Sequence, residues 1–383
     1  MKKLLQIAAG ALLLASPLAA QLLPCASETH LARKGNYMNG TTAAVDNGVW
    51  EWEIGSGLTY SNIEGITADG TFYSTMSLVD PQFALGAFDT VNLLVGRYNA
   101  APTQRPYAQD VELLLDACAF DPGAYGLDAP LDNSAYCLLG TQYYSRVVGQ
   151  YPNPYDNVDR HLTAGRGSLA GWDVGAHIRS AWRAGFVDYA LGMVDRILAR
   201  RPDWEHVPLG GYDYTENSWG ALVRVILEMH AAGEIGATAY AEGLAMAGQL
   251  IAAQAPDGSW GQGDYQSTAY ALLGLRADPW NFTLPWQQAV IYGGDFLEST
   301  ASPAPTCGWV YPPDPAANEC AGVECGEANS EIISALAMIN TLPFVDGFET
   351  GGTTAWSSEV SGVPSAPRTA AVATPRAPAS PAR

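Results

Sequence analysis

The chain is short of positive charge. Lysine and arginine together number 19 against 39 aspartates and glutamates, a formal net charge of −20 over 383 residues. A surface of that sign repels phosphate backbones and anionic headgroups, which excludes nucleic acid and anionic membranes as partners. It also works against unaided capture of a polyanionic glycan, so a uronate substrate would require a bound cation such as calcium to offset the field. No other cofactor is expected. Long apolar runs are missing too: residues 4–14 fall well short of the roughly 20 needed to span a bilayer, and no later segment does better. Histidine is scarce, at five. No HExxH, GxSxG, P-loop or dinucleotide fingerprint occurs, so zincins, serine hydrolases of the elbow type and nucleotide-binding folds are set aside.

The residues that are present point first to export. Lys2 and Lys3 precede the apolar stretch, and Ser16 to Ala20 supply small residues for cleavage. Residues 1–20 are therefore expected to be a signal peptide and the mature protein to be secreted or periplasmic. All six cysteines lie beyond it, an even count for an oxidising compartment. Cys118 and Cys137 flank one helix connection, while Cys307, Cys320 and Cys325 crowd one loop. These five are disulfide candidates. The Cys320/Cys325 spacing is loose for zinc, and no metal site is assigned.

Three regions follow the signal. Residues 21–76 are rich in Gly, Thr, Asn and aromatics and are expected to form an irregular or short-stranded arm. From 77 to 342 apolar residues recur at three- and four-residue spacing, punctuated by Gly, Pro and Asn. Beyond 343 lies a Gly/aromatic segment, similar to the short GFExG…W segments near the ends of many secreted bacterial proteins. A Pro/Ala/Ser-rich tail follows it that cannot bury a core and is expected to be disordered.

Within 77–342 one pattern recurs: a Gly-aromatic loop, a polar cap, then an Ala/Leu-rich helix. It opens at Asp132, Gly171, Tyr214, Asp264 and Glu327, at intervals of roughly 40–60 residues, the range of two-helix repeat units. Amphipathic helices alternate with these, at 107–119, 186–200, 237–254 and 286–299. Helices rich in small residues pack closely on several sides and suit an inner ring; amphipathic ones face water as an outer ring. With 83–98 as the first inner helix, about six inner/outer pairs are expected. An open solenoid of the same hairpins is the alternative.

The segment Gln254-Ala255-Pro256-Asp257-Gly258-Ser259-Trp260-Gly261, followed by Thr268-Ala269-Tyr270-Ala271-Leu272, resembles the repeat of the prenyltransferase/squalene-cyclase α/α toroid superfamily. The resemblance implies an all-α, α/α toroid fold. It implies little about activity, because one fold hosts many chemistries. The D-x-D-D run with which cyclases of this kind protonate substrate is missing. So is the Asp/Cys/His zinc pattern of the protein prenyltransferases.

Other α/α barrels serve polysaccharide lyases and glycosidases, which place acids, His, Tyr and Trp where the inner helices begin. This chain has such residues there, among them Asp132, Tyr136, Asp213, Glu327 and Glu331. Glu216 and Asp264 are the candidate acid/base pair, with Asp173 and His177 as helpers. Tyr214, Trp219, Tyr265, Tyr270, Trp172 and Trp309 are the candidate ligand-binding aromatics. Arg179 is the cation a lyase acting on uronate would need. The structural alternatives are plain: Asp132, Asp173 and Asp264 stand where helix N-caps belong. Trp172 and Trp260 suit packing between hairpins, and His177 suits a satisfied core position. The expected partner is a small molecule or a glycan, taken by a monomer. A non-catalytic binding toroid and a terpenoid-type protein with an apolar substrate remain as alternatives.

Overall fold

A computed structural model describes residues 133–163, 171–206, 208–209, 212–278, 283–303, 306–310 and 322–340. The signal, the arm, the expected first pair at 83–98 and 107–119, Cys118, Cys320 and the C-terminal tail lie outside the described residues. Contacts divide the chain into two units, Met1–Thr341 and Leu342–Arg383, and every described residue belongs to the first.

The described chain is helical. Its helices are α1 (Asn133–Gln150), α2 (Pro154–Thr163), α3 (Gly171–Arg183), α4 (Val187–Ala199), α5 (Thr215–Ala231), α6 (Ala237–Ala253), α7 (Tyr265–Arg276), α8 (Leu284–Thr300) and α9 (Gly326–Asn340). The strands among the described residues are the two-residue pair Pro208–Leu209 and Tyr212–Asp213, running antiparallel before α5. Helix α2 is not marked by the repeat pattern; the other described helices start within about two residues of the expected positions, because the cap-then-apolar switch marks them locally.

Packing alternates along the chain. Helix α3 packs on α5, α5 on α7 and α7 on α9, while α2 packs on α4, α4 on α6 and α6 on α8. Rungs between the layers join α3 to α4, α5 to α6 and α7 to α8. Helix α1 meets α3 where the Tyr144 hydroxyl donates to the His177 carbonyl at 2.9 Å. Among the described residues this makes an inner row of α1, α3, α5, α7 and α9 and an outer row of α2, α4, α6 and α8, the α/α toroid arrangement.

Small residues set the spacing of the inner row. A Cβ on Gly220 would overlap the backbone oxygen of Tyr270, and the ideal Cβ of Gly175 touches Ala221 at 3.0 Å. Helices α5 and α7 thus meet backbone to backbone, an approach that only glycine permits. Between the rows runs the main core, in which Met193, Ile197, Leu222, Ile226, Met246, Leu250, Leu272 and Leu297 are buried.

Among the described residues, each loop tryptophan closes the end of a helix. The last four carbonyls of a helix have no intrahelical partner. The Trp204 indole N–H donates to Ile197 O at 2.7 Å, Trp260 to Leu250 O at 2.7 Å and Trp309 to Leu297 O at 2.7 Å. These carbonyls lie in the last turns of α4, α6 and α8. Trp286 does the same for α7 through Leu275 O at 2.8 Å. The indole supplies a large apolar body for the core and one donor for an acceptor in the last turn of a helix.

The Gln-x-x-Asp-Gly-Ser-Trp run is a device for holding that tryptophan. Gln254 Nε2 donates to Gly258 O at 2.9 Å and to Ala289 O of α8 at 2.8 Å. Asp257 accepts from the Ser259 amide at 3.0 Å and its hydroxyl at 2.7 Å, which holds the carboxyl below its ordinary pKa. Gly258 has φ of 93°, and a Cβ there would overlap the Tyr292 carbonyl. No other residue satisfies both conditions.

Candidate functional site

The N-terminal ends of the inner helices carry the polar groups, and a helix's pitch decides which way each points. On α7, Tyr265 packs its ring on Phe296 of α8 at 5.9 Å between centroids, with Thr300 bonded to its hydroxyl. One residue further on, the direction changes by about 100°. Gln266 Nε2 donates to Glu331 Oε2 at 2.7 Å, and the Tyr270 hydroxyl donates to Glu331 Oε1 at 2.8 Å. Gln266 and Tyr270 are one turn apart on the same face of α7, and Glu331 belongs to α9.

Among the described residues, Glu331 is the chemically distinctive acid. Burial pushes its carboxyl up to about 7, and the negative charge of Asp264 pushes the same way, against the two donors that favour the ionised form. Surface area leaves it only half-buried. A carboxyl that is partly open yet strongly desolvated lies in a recess, with protein around it on most sides. A group poised near neutrality can both give and take a proton.

Asp264 has two functions. It caps α7, accepting the Ser267 amide at 2.6 Å on Oδ2. Burial raises its proton affinity as well, against the bonds from Ser267. Thr268 Oγ1 donates to Asp264 O at 2.8 Å and accepts the Trp260 amide at 3.1 Å. Asn329 repeats the device on α9. Its Nδ2 donates to Cys325 O at 2.9 Å and to Trp309 O at 3.0 Å, and its Oδ1 accepts the Trp309 amide at 3.0 Å. The loop tryptophan and the first turn of the next inner helix are therefore tied together in both repeats.

The other expected site residues divide. Glu216 sits half-buried in the first turn of α5, at the register position that Gln266 holds on α7. Tyr214 takes the N-cap position of α5, half-buried, without capping it through its side chain. His177 is 7% exposed at the α1–α3 contact, with its Nδ1 3.2 Å from the Tyr144 hydroxyl. That is the core position anticipated as its structural alternative. Asp173 and Trp172 stand in the first turn of α3, but their side chains lie outside the described residues.

Three aromatics face away from the recess, and these are corrections to the expected ligand platforms. Trp309 is wholly buried as a helix closure. Trp219 donates its indole N–H to Glu205 at 2.8 Å and lies under Arg201, 5.7 Å from ring centroid to guanidinium carbon, on the outer-row side of α5. Tyr265 points to α8, as described above. Sequence spacing marks the start of a helix but not the angle at which each residue leaves its axis, and a single residue's shift separates Tyr265 from Gln266. Arg179, the cation a uronate would need, is committed to Glu228 at 2.6 Å.

Glu331 stood in the sequence only as one acid among many at a helix start. Its neighbour Gln266 carried no signal of its own. Their pairing joins residues 65 positions apart. Among the cysteine candidates, Cys307 is in a disulfide and Cys325 is a buried thiol; the Cys137 side chain lies outside the described residues. Among the described residues no three His, Cys, Asp or Glu gather as metal ligands, and no helix is long and apolar enough to cross a membrane.

Comparison with known proteins bears on the fold. No protein-family model matches the chain, and no curated protein matches it. A type II terpene cyclase from Scytonema, solved with its substrate geranylgeranyl dihydroxybenzoate, has a similar structure. It shows a TM-score of 0.50 and 13% identity over 82% of this chain and 98% of that one. A possible GH105 family member from Salmonella enterica serovar Paratyphi A aligns with a TM-score of 0.49 and 8% identity, over 85% of this chain and 97% of that one. The chain has the α/α toroid fold. At such identities the likeness concerns the fold alone.

Proposed function

We propose that the protein is an exported carbohydrate-active enzyme, in which Glu331 is the proton donor for cleavage of a neutral or weakly charged glycan. The observation that carries this reading is a carboxyl raised to about 7 and held by Gln266 and Tyr270 in a recess at the start of the inner helices. In the protonated form Glu331 gives its proton to the glycosidic oxygen as the carbon–oxygen bond breaks. Water then adds to the sugar carbon and loses its proton to a second carboxylate. Glu216 is the candidate for that base. Asp264, fixed as a helix cap, acts through its charge by raising the proton affinity of Glu331.

The surroundings favour a hydroxylated substrate. Donors and acceptors line this part of the recess, and Trp219, Tyr265 and Trp309 turn their rings elsewhere. A second reading rests on the same carboxyl, since a protonated acid in a desolvated site can also protonate an alkene and start a cyclisation. One panel separates the two: neutral polysaccharides and disaccharides on one side, polyprenyl compounds on the other. Turnover of a glycan is expected, lost by about 10²–10⁴-fold in Glu331→Gln with the fold retained. Turnover confined to the polyprenyl arm moves the assignment to the second reading. Binding of a glycan without cleavage in the wild type leaves a non-catalytic toroid.

A further inference from the structure

Asn217 is 2% exposed, and its amide oxygen Oδ1 meets no hydrogen-bond donor. An acceptor buried without a partner loses its hydration and gains nothing in return, so it is normally avoided or satisfied. Its position in the inner row says where this one points. On α5, Gly220 faces α7 through the Tyr270 backbone and Ala221 faces α3 through Gly175. Trp219 faces the outer row through Glu205 and Arg201. At about 100° of rotation per residue, position 217 falls between the Gly220 and Ala221 directions and about 160° from Trp219. Asn217 therefore lies on the face of α5 turned to the interior of the inner row. It is in the third residue of the helix, next to Glu216 and at the same end as Tyr270 and Glu331.

Further along that face, Arg224 and Glu228 satisfy each other and Arg179, at 3.2 Å and 2.6 Å. The charged groups of the interior face are paired and the amide oxygen is not. We propose that Asn217 is a substrate-recognition residue of the recess, whose Oδ1 accepts a hydrogen bond from a ligand hydroxyl or N–H. This inference rests on the assignment of the recess as the binding site and adds a specificity-determining group to it. A ligand that brings a donor satisfies the oxygen, and an analogue lacking that donor leaves it buried and unpaired, which makes the position selective.

Thermal unfolding of Asn217→Leu and Asn217→Ala, each with and without cellobiose, maltose and lactose, tests the assignment. Without ligand, Asn217→Leu is expected to raise the midpoint by about 2–4 °C, because the shape is kept and the orphan acceptor is gone. Asn217→Ala, which cannot clash, is expected to leave the midpoint unchanged or raised. Any disaccharide-induced shift of the wild type should disappear in both variants. A lowered ligand-free midpoint in Asn217→Ala would show a structural role and overturn the inference, as would an undiminished disaccharide shift in either variant. If no disaccharide shifts even the wild type, that counts against the glycan assignment, and the ligand-free midpoints alone decide Asn217.

Discussion

Two regions of the molecule grow from the same stretch of repeat and come to opposite ends. The seam between inner and outer rows takes the loop aromatics: Trp204, Trp260 and Trp309 are buried, each with its one donor on a carbonyl at a helix end. The face between α7 and α9, only a few residues further along each repeat, takes the polar side chains and leaves Glu331 protonatable near neutrality. The difference lies in what each group needs. An indole has one polar atom and gains from burial once that atom is paired. A carboxyl has two oxygens and a charge, so burial changes its protonation rather than merely its packing. The seam therefore favours paired burial, and the face holds a carboxyl able to exchange a proton near neutrality.

The contrast predicts which substitutions act on which property. The largest effect on folding is expected at the seam. Trp260→Ala should cost about 3–5 kcal/mol, from the lost side-chain volume and the exposed Leu250 carbonyl, read as a fall in the denaturant midpoint. If Trp260→Ala instead abolished glycan turnover in a protein of unchanged stability, the division between seam and face would fail.

Next in size is the pH dependence of stability. The folded carboxyl of Glu331 is raised to about 7 from an unfolded value near 4.5. Between those limits the native state binds the extra proton, so stability is greatest at the acid end and declines as pH rises through 7. The decline should be on the order of 2–3 kcal/mol, and Glu331→Gln should flatten it. Asp264, raised by burial, contributes in the same direction. Denaturant titrations at pH 5 and pH 8 measure the slope; a wild-type curve as flat as that of the variant would remove Glu331 from its assigned state.

The smallest effect is expected where an aromatic near the recess faces outward. Trp219→Phe loses the bond to Glu205, worth about 0.5–1.5 kcal/mol of stability, and should leave turnover of any glycan substrate within a few-fold of wild type. A large rise in KM with stability intact would return Trp219 to the ligand.

Legibility in the sequence followed the range of the interactions. Helix positions could be read because caps and periodicity are local, as at Asp264, whose capping bond is to Ser267, three residues on. The Gly258-Ser259-Trp260 turn was legible as a motif for the same reason. The alternation of rows could be read from small residues such as Gly220, although only the structure shows what lies against it. The acid/base pair expected from the sequence, Glu216 and Asp264, does not include Glu331. Its raised proton affinity is made by burial and by the charge of Asp264 in another repeat, neither of which has a local trace.

By itself, the sequence determined that this chain makes repeated helix pairs, where the described inner helices begin, and that its acidic charge disfavours anionic partners. Those properties follow from residue type and short-range spacing. The tertiary structure decided which of several similar acids became desolvated between helices and which aromatics became core. Direction around a helix and desolvation by a neighbouring helix exist only once the inner row has assembled.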